Sequence, residues 1–203
     1  MDGPVLGFDT SAAHCAAALV SGGRVLAERL EPMAKGQAER LMGMLEEVLA
    51  EAGLGWSDLA AIGVCTGPGN FTGTRIGVAA ARGLALALAV PAEGVSAAEA
   101  LADGRDVVVC LPAPGGMVHA AWRAEVRTID AGPLPAGWDA PLTGPAAGRG
   151  AEGRAILPAP PVAVAVAHIA AARAAPGRPS PAPVYLRPAD AAPPSDPPPR
   201  ILA

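Results

Sequence analysis

The eleven residues Gly67-Pro68-Gly69-Asn70-Phe71-Thr72-Gly73-Thr74-Arg75-Ile76-Gly77 constrain the chain more than any other stretch. They join an apolar run, Leu59 to Cys65, to a helical pattern from about Thr72 to Ala89 that Pro91 ends. The run reads as a buried strand, with Ile62 and Val64 inside it. Glycines at such a strand-to-helix joint permit unusual dihedrals and close backbone approach. A helix N-terminus there is suited to an anion. The segment is not a Walker A loop, because no Lys-Ser/Thr pair supplies the phosphate-cradling lysine. Turning the chain, tight helix packing and partner contact outweigh catalysis as its expected role.

The flanking pattern extends this unit into a lobe. Val5 to Asp9 reads as a strand, His14 to Val20 as a second, and Arg24 to Glu31 as a third after the Ser21-Gly22-Gly23 turn. Leu41, Met44, Leu45, Val48, Leu49 and Ala52 recur at helical spacing and predict a helix over about Gly36 to Ala52, with Gly53 at its C-terminal cap. Val95 closes a short strand, and Ser96-Ala97-Ala98-Glu99 is a capping box opening a third helix. The order β-β-β-α-β-α-β-α is that of the ribonuclease-H-like lobe, which builds actin-like ATPase folds when duplicated. The fold class expected is therefore α/β, with two lobes. Topology of this kind does not fix an activity.

Proline marks the boundary between halves. Residues 1–100 hold four prolines and the remainder nineteen. The expected division is an N-terminal lobe over 1–103, a smaller Pro-rich lobe over 104–190 and an extended or disordered tail over 191–203. In the second half, Val107 to Leu111, Met117 to Arg123 and Glu125 to Ile129 read as strands, and Val162 to Ala174 as a helix.

Composition narrows the function. Aromatics are only 3% of the chain, so its core must be aliphatic and alanine-rich. Net charge is −4, with eleven acids and six bases in residues 1–100. That is not the basic excess of an autonomous nucleic-acid binder. Val78 to Val90, the longest apolar stretch, is interrupted by Arg82 and falls short of the roughly 18 apolar residues of a membrane span. The first residues lack a basic n-region, and Cys15, Cys65 and Cys110 are expected as buried thiols, so a cytoplasmic location is expected.

Candidates for chemistry are few. Asp9-Thr10-Ser11 ends the first strand, where an actin-like ATPase holds Mg²⁺ and phosphate. The matching stretch of the second lobe, Val109 to Gly116, has glycines but no acid, and Asp106 precedes it. Half a site binds Mg²⁺ poorly, so a turn or capping role is favoured for Asp9. His14, His119 and His168 lack metal-ligand spacing. Small residues (Gly73, Gly77, Ala80, Ala81, Gly83, Ala87) line the second helix and admit a closely packed neighbour.

Gly67 to Gly77 reads GPGNFTGTRIG and resembles GPGSFTGLRIG, the hallmark of the TsaB (YeaZ) family, differing at Asn70 and Thr74. Leu6 to Ser11 is similar to that family's opening LAIDTS, Ala81 to Ala85 to its ARGLA, and Pro183 to Ala191 to its terminal P-x-YLR-x-x-DA. Gln37-Ala38-Glu39 departs from its His-Ser/Ala-Glu, and Cys110 to Gly116 departs from its DAR-type segment. The resemblance implies two actin-like lobes without a competent catalytic site. It also implies pairing with a TsaD-like catalytic paralogue and a TsaE-like ATPase. That assembly places a threonylcarbamoyl group on N6 of the adenosine beside the anticodon in tRNAs reading ANN codons. A homodimer is implied in isolation, and tRNA contact only through partners.

By position, the partner interface expected here is Leu41, Met44, Leu45, Val48, Phe71, Thr72, Arg75, Ile76, Ala80 and Gly83, with Met44 taken as an exposed apolar site. No cofactor is expected for the isolated chain. Asp9, Thr10 and Ser11 are the nucleotide candidates, with ATP and Mg²⁺ confined to the complex interface. The expected function is a non-catalytic scaffold subunit. The rivals are a degenerate actin-like ATPase or small-molecule kinase, which needs a second acidic loop, and a metalloprotease-like protein, which needs a His pair.

Overall fold

A computed structural model describes residues 3–150 and 153–186. The 191–203 tail and the Arg187 to Ala191 end of the last family motif lie outside the described residues.

The elements run β1 (Val5–Asp9), β2 (His14–Ser21), β3 (Arg24–Pro32), α1 (Gln37–Glu51), β4 (Ala61–Cys65), α2 (Phe71–Leu88), β5 (Ala92–Val95) and α3 (Ala97–Ala102). Then come β6 (Val108–Pro112), β7 (Val118–Trp122), β8 (Glu125–Ile129), β9 (Leu142–Thr143) and α4 (Val162–Arg173). The first eight follow the expected order. The expected strand at Leu59 starts at Ala61, because Trp56–Asp58 form a 3₁₀ turn. The short β9 was not expected; its two residues are too few for a periodic signal.

Two sheets result. The first has strand order β3-β2-β1-β4-β5, antiparallel through β3-β2-β1 and parallel through β1-β4-β5. The second, β8-β7-β6-β9, repeats that scheme in short form: an antiparallel meander, then one parallel strand. Where the first sheet has α1 between its third and fourth strands, the second has residues 130–141 without a helix. Buried Trp138 from that connection packs with Leu142 and Cys110 in a small core.

Strand periodicity sets the layers of the first lobe. Leu6, Phe8, Cys15, Ala17, Leu19, Ile62 and Val64 face α1 and α2, and form the main core with Leu41, Met44, Leu45 and Val48. The alternate positions, Val5, Val20 and Ala61, meet α4 with Ala167 and Ala170. Gly7 and Gly63 lie on the same side. A methyl group on Gly7 would sit 2.5 Å from the Ala167 nitrogen and 2.6 Å from the Ala163 oxygen. On Gly63 it would meet the Ala170 Cβ at 2.8 Å. Helix α4 therefore rests on strand backbone, which is how a chain almost without aromatics closes its interior. The strands of the two sheets fall on either side of residue 103, but α4, from the second half, completes the first lobe.

Two glycine substitutions should part in sign. Gly7→Ala overpacks the sheet–α4 contact and should cost about 1–3 kcal/mol. Gly83→Ala adds a methyl with nothing within 4 Å, in an exposed helix interior. It should stabilise by up to about 1 kcal/mol. Urea unfolding midpoints of the two variants check both.

Candidate functional site

The expected interface residues divide sharply. Leu41, Met44, Leu45 and Val48 are fully buried, Met44 at 0% exposure, and pack inside the chain's own core. This corrects the expectation that they face a partner. The apolar stripe of α1 is the stripe that covers β2 and β3, and periodicity alone does not distinguish a core face from a docking face. On α2, Phe71, Thr72, Arg75 and Gly83 are exposed, while Ile76 and Ala80 are half-buried against the core. Leu86, at 86% exposure, continues the outer face and was missed, as was Met42 on α1. Tyr185 was also missed at this place. Its ring lies 5.3 Å from that of Phe71, and its hydroxyl accepts from Arg75 Nε at 2.7 Å.

The glycine-rich segment works as a backbone clasp. Asn70 caps α2, its Oδ1 accepting from Gly73 N at 2.9 Å. Asparagine caps as well as serine, so this departure from the family pattern keeps the function of the position. Asn70 N donates to Ser11 O at 2.6 Å, and Thr10 Oγ1 donates to Gly73 O at 2.7 Å. Buried Thr74 donates from Oγ1 to Asn70 O at 2.8 Å. A Cβ at Gly69 would fall on the Ser11 carbonyl and one at Gly73 on the Thr10 carbonyl, so only glycine fits either place. The start of α2 is thus pressed against the end of β1.

Asp9, Thr10 and Ser11 are brought together and buried by this contact. Asp9 Oδ1 accepts from Ser11 N at 2.6 Å, and Oδ2 is 2.9 Å from His14 Nε2. Burial alone would raise the Asp9 carboxyl; the hydrogen bond and charge of His14, with bonds from Ser11, overcome it and hold the group below its ordinary value. Ser11 Oγ lies 3.4 Å from Cys65 Sγ. Burial, then the Asp9 carboxylate, raise that thiol well above its usual range, so it stays protonated and inert.

Across the molecule, Cys110 to Gly116 supplies the end of β6 and a tight turn. Asp106 is spent on Arg123 and on Trp122 Nε1, the latter at 2.7 Å. Among the described residues no group of three or more His, Cys, Asp or Glu is placed to hold a metal, and no helix is long and apolar enough to cross a membrane.

Asp9→Asn should destabilise the chain by about 1–3 kcal/mol at neutral pH, the scale of hydrogen bonds to a charged group. Because the folded carboxyl titrates below its unfolded value, its contribution is complete above about pH 4. It is lost as pH falls through the depressed value. Urea unfolding from pH 7 down to pH 3 should show the gap between wild type and Asp9→Asn closing at the acid end.

Residues 25–130 match the family described as TsaD: tRNA N6-adenosine threonylcarbamoyltransferase. The chain is 36% identical over 100 residues to the tRNA threonylcarbamoyladenosine biosynthesis protein TsaB of Escherichia coli, covering 49% of this chain and 43% of that protein. It therefore spans less than half the length of that curated relative. An uncharacterized protein of Mycobacterium tuberculosis is 33% identical over 215 residues, covering 93% of this chain and 94% of its own length. The solved structure of YeaZ from Pseudomonas aeruginosa superposes with a TM-score of 0.74 at 28% identity, covering 91% of this chain and all of that one. Sequence motif, lobe topology, the family model over half of the chain, the TsaB-named relative and the YeaZ superposition agree: the chain belongs to the TsaB (YeaZ) family.

Proposed function

We propose that the chain is a non-catalytic subunit in the formation of N6-threonylcarbamoyladenosine beside the anticodon of tRNAs reading ANN codons. Its task is to bind and organise a TsaD-like catalytic paralogue. A TsaE-like ATPase joins the assembly, tRNA is met through the partners, and α1 and α2 also serve a homodimer when the paralogue is absent. The carrying observation is a division of labour around α2. Its inner side and the Asp9-Thr10-Ser11 turn spend their hydrogen bonds within the chain. Its outer side leaves Phe71, Arg75, Gly83 and Leu86 exposed. Buried core residues of α1 are not part of this face; Met42 is its exposed apolar residue.

The same turn weighs against the ATPase or kinase reading. Both Asp9 oxygens are engaged, and the start of α2 presses on the carbonyls of residues 10 and 11, where a phosphate would need room. ATP and Mg²⁺, if they enter, do so at the junction with the paralogue.

Depleting the protein and measuring threonylcarbamoyladenosine in bulk tRNA by mass spectrometry should show a fall; unchanged modification refutes the proposal. Leu86→Glu should leave the isolated chain folded, since the side chain is already in water. Co-purification with the paralogue should drop by about tenfold or more, the scale for losing an interface anchor. Met44→Glu should instead unfold the isolated chain, as a charge forced into the core. Circular dichroism melts of both variants separate the two effects.

A further inference from the structure

The arginines of the described residues are mostly answered by acids or carbonyls. Arg29 and Arg40 pair with glutamates of α1 and β3, Arg173 and Arg178 with Glu93, and Arg105 with three backbone oxygens. Arg75 is held differently. Its guanidinium carbon stands 3.8 Å from the Phe71 ring centroid and 5.7 Å from that of Tyr185. Its Nε donates to the Tyr185 hydroxyl at 2.7 Å. No carboxylate lies within ion-pair distance among the described residues, and α2 contains no acidic residue. A neutral phenol and two aromatic faces hold this guanidinium, and among the described residues neither Nη group has a hydrogen-bond partner, which leaves a planar fork to offer.

The seat is anchored from outside the helix. Val184 N donates to Thr66 O at 2.8 Å, and Arg178 binds buried Glu93 through Nε at 2.8 Å and Nη2 at 3.2 Å. These bonds fix the segment that carries Tyr185. Around the fork lies exposed apolar surface: Phe71 and Tyr185 are 46% and 45% exposed, with Val184 and Leu186 beside Tyr185 in the chain. Arginine and tyrosine in an apolar setting are the composition of interface anchors.

We infer that Arg75 is the specificity residue of the docking face, engaging a carboxylate on the catalytic paralogue's surface, and that Tyr185 positions it. The inference rests on the scaffold reading above. A carboxylate matches the planar fork with two parallel bonds. Immobilising the side chain in advance removes an entropic cost of binding. An RNA phosphate is disfavoured: backbone binding sums many cations, whereas α2 has two arginines and the chain carries −4.

The test is calorimetric titration of the full-length chain with its catalytic paralogue at two salt concentrations. Arg75→Ala and Arg75→Lys should each weaken binding by about tenfold or more, and Arg75→Ala should flatten the salt dependence. Tyr185→Phe should weaken it by about two- to tenfold, yet add nothing in the Arg75→Ala background, since positioning acts only through the arginine. Unchanged melting temperatures would exclude misfolding as the cause. Wild-type binding matched within twofold by Arg75→Ala, at both salts, overturns the inference and leaves the scaffold reading standing. No wild-type binding overturns both. Binding of bulk tRNA to the lone chain that Arg75→Ala abolishes replaces the carboxylate with phosphate and overturns it as well.

Discussion

The structure depends on backbone meeting backbone. On one side of the first sheet, Gly7 and Gly63 let α4 lie directly on β1 and β4. On the other, Gly69 and Gly73 bring the start of α2 onto the carbonyls of Thr10 and Ser11. Dispersion falls steeply with separation, so such contacts gather much attraction from little side-chain volume. They also allow hydrogen bonds that bulkier residues would forbid, such as Thr10 to Gly73 and Asn70 to Ser11. A chain poor in aromatics and rich in alanine closes its interior through these contacts.

That constraint also shapes the chemistry of the turn after β1. Actin-like topology brings acidic and hydroxyl side chains to this point, and the residue types are present in Asp9, Thr10 and Ser11. Here Ser11 N and His14 take the Asp9 oxygens, and the helix start takes the Thr10 hydroxyl and the Ser11 carbonyl, so the hydrogen-bonding capacity that a ligand would use is engaged within the chain. The pairing with His14 stabilises the Asp9 anion inside the fold, so the carboxylate serves stability. The helix that closes this turn on its inner side is the same helix that faces outward with an arginine and exposed apolar groups, so one element links the lobe's interior to its surface.

Much of this is legible in the amino-acid sequence. Periodicity places α1 and α2 within a residue at each end, because apolar spacing and the closing Gly53 and Pro91 are local signals. The capping box at Ser96 and Glu99 forms as spaced. The outward-facing set was only half legible. Leu41, Met44, Leu45 and Val48 looked suited to a partner, yet an apolar stripe on a helix states that it must be covered, not by what. Gly83 and Arg75 follow by position from the family resemblance, and both are exposed on α2; small size does not mark that side, since Gly73, Gly77 and Ala81 are buried. Tyr185 escaped because it reaches Arg75 from 110 positions away, a distance no local pattern spans. Gly7 and Gly63 escaped for the same reason: their meaning comes from α4, about 100 residues or more downstream.

Placement of α4 carries a consequence for synthesis. During translation the five strands of the first sheet leave the ribosome long before the helix that closes their second face. Until residue 173 has emerged, Val5, Val20 and Ala61 have no cover, and the sheet waits with one greasy side open to water. Contacts of such sequence separation are slow to form, and exposed sheet faces invite association between nascent chains. The second sheet and its connections, residues 96–161, thus set the interval during which a newly made molecule is most in need of a chaperone.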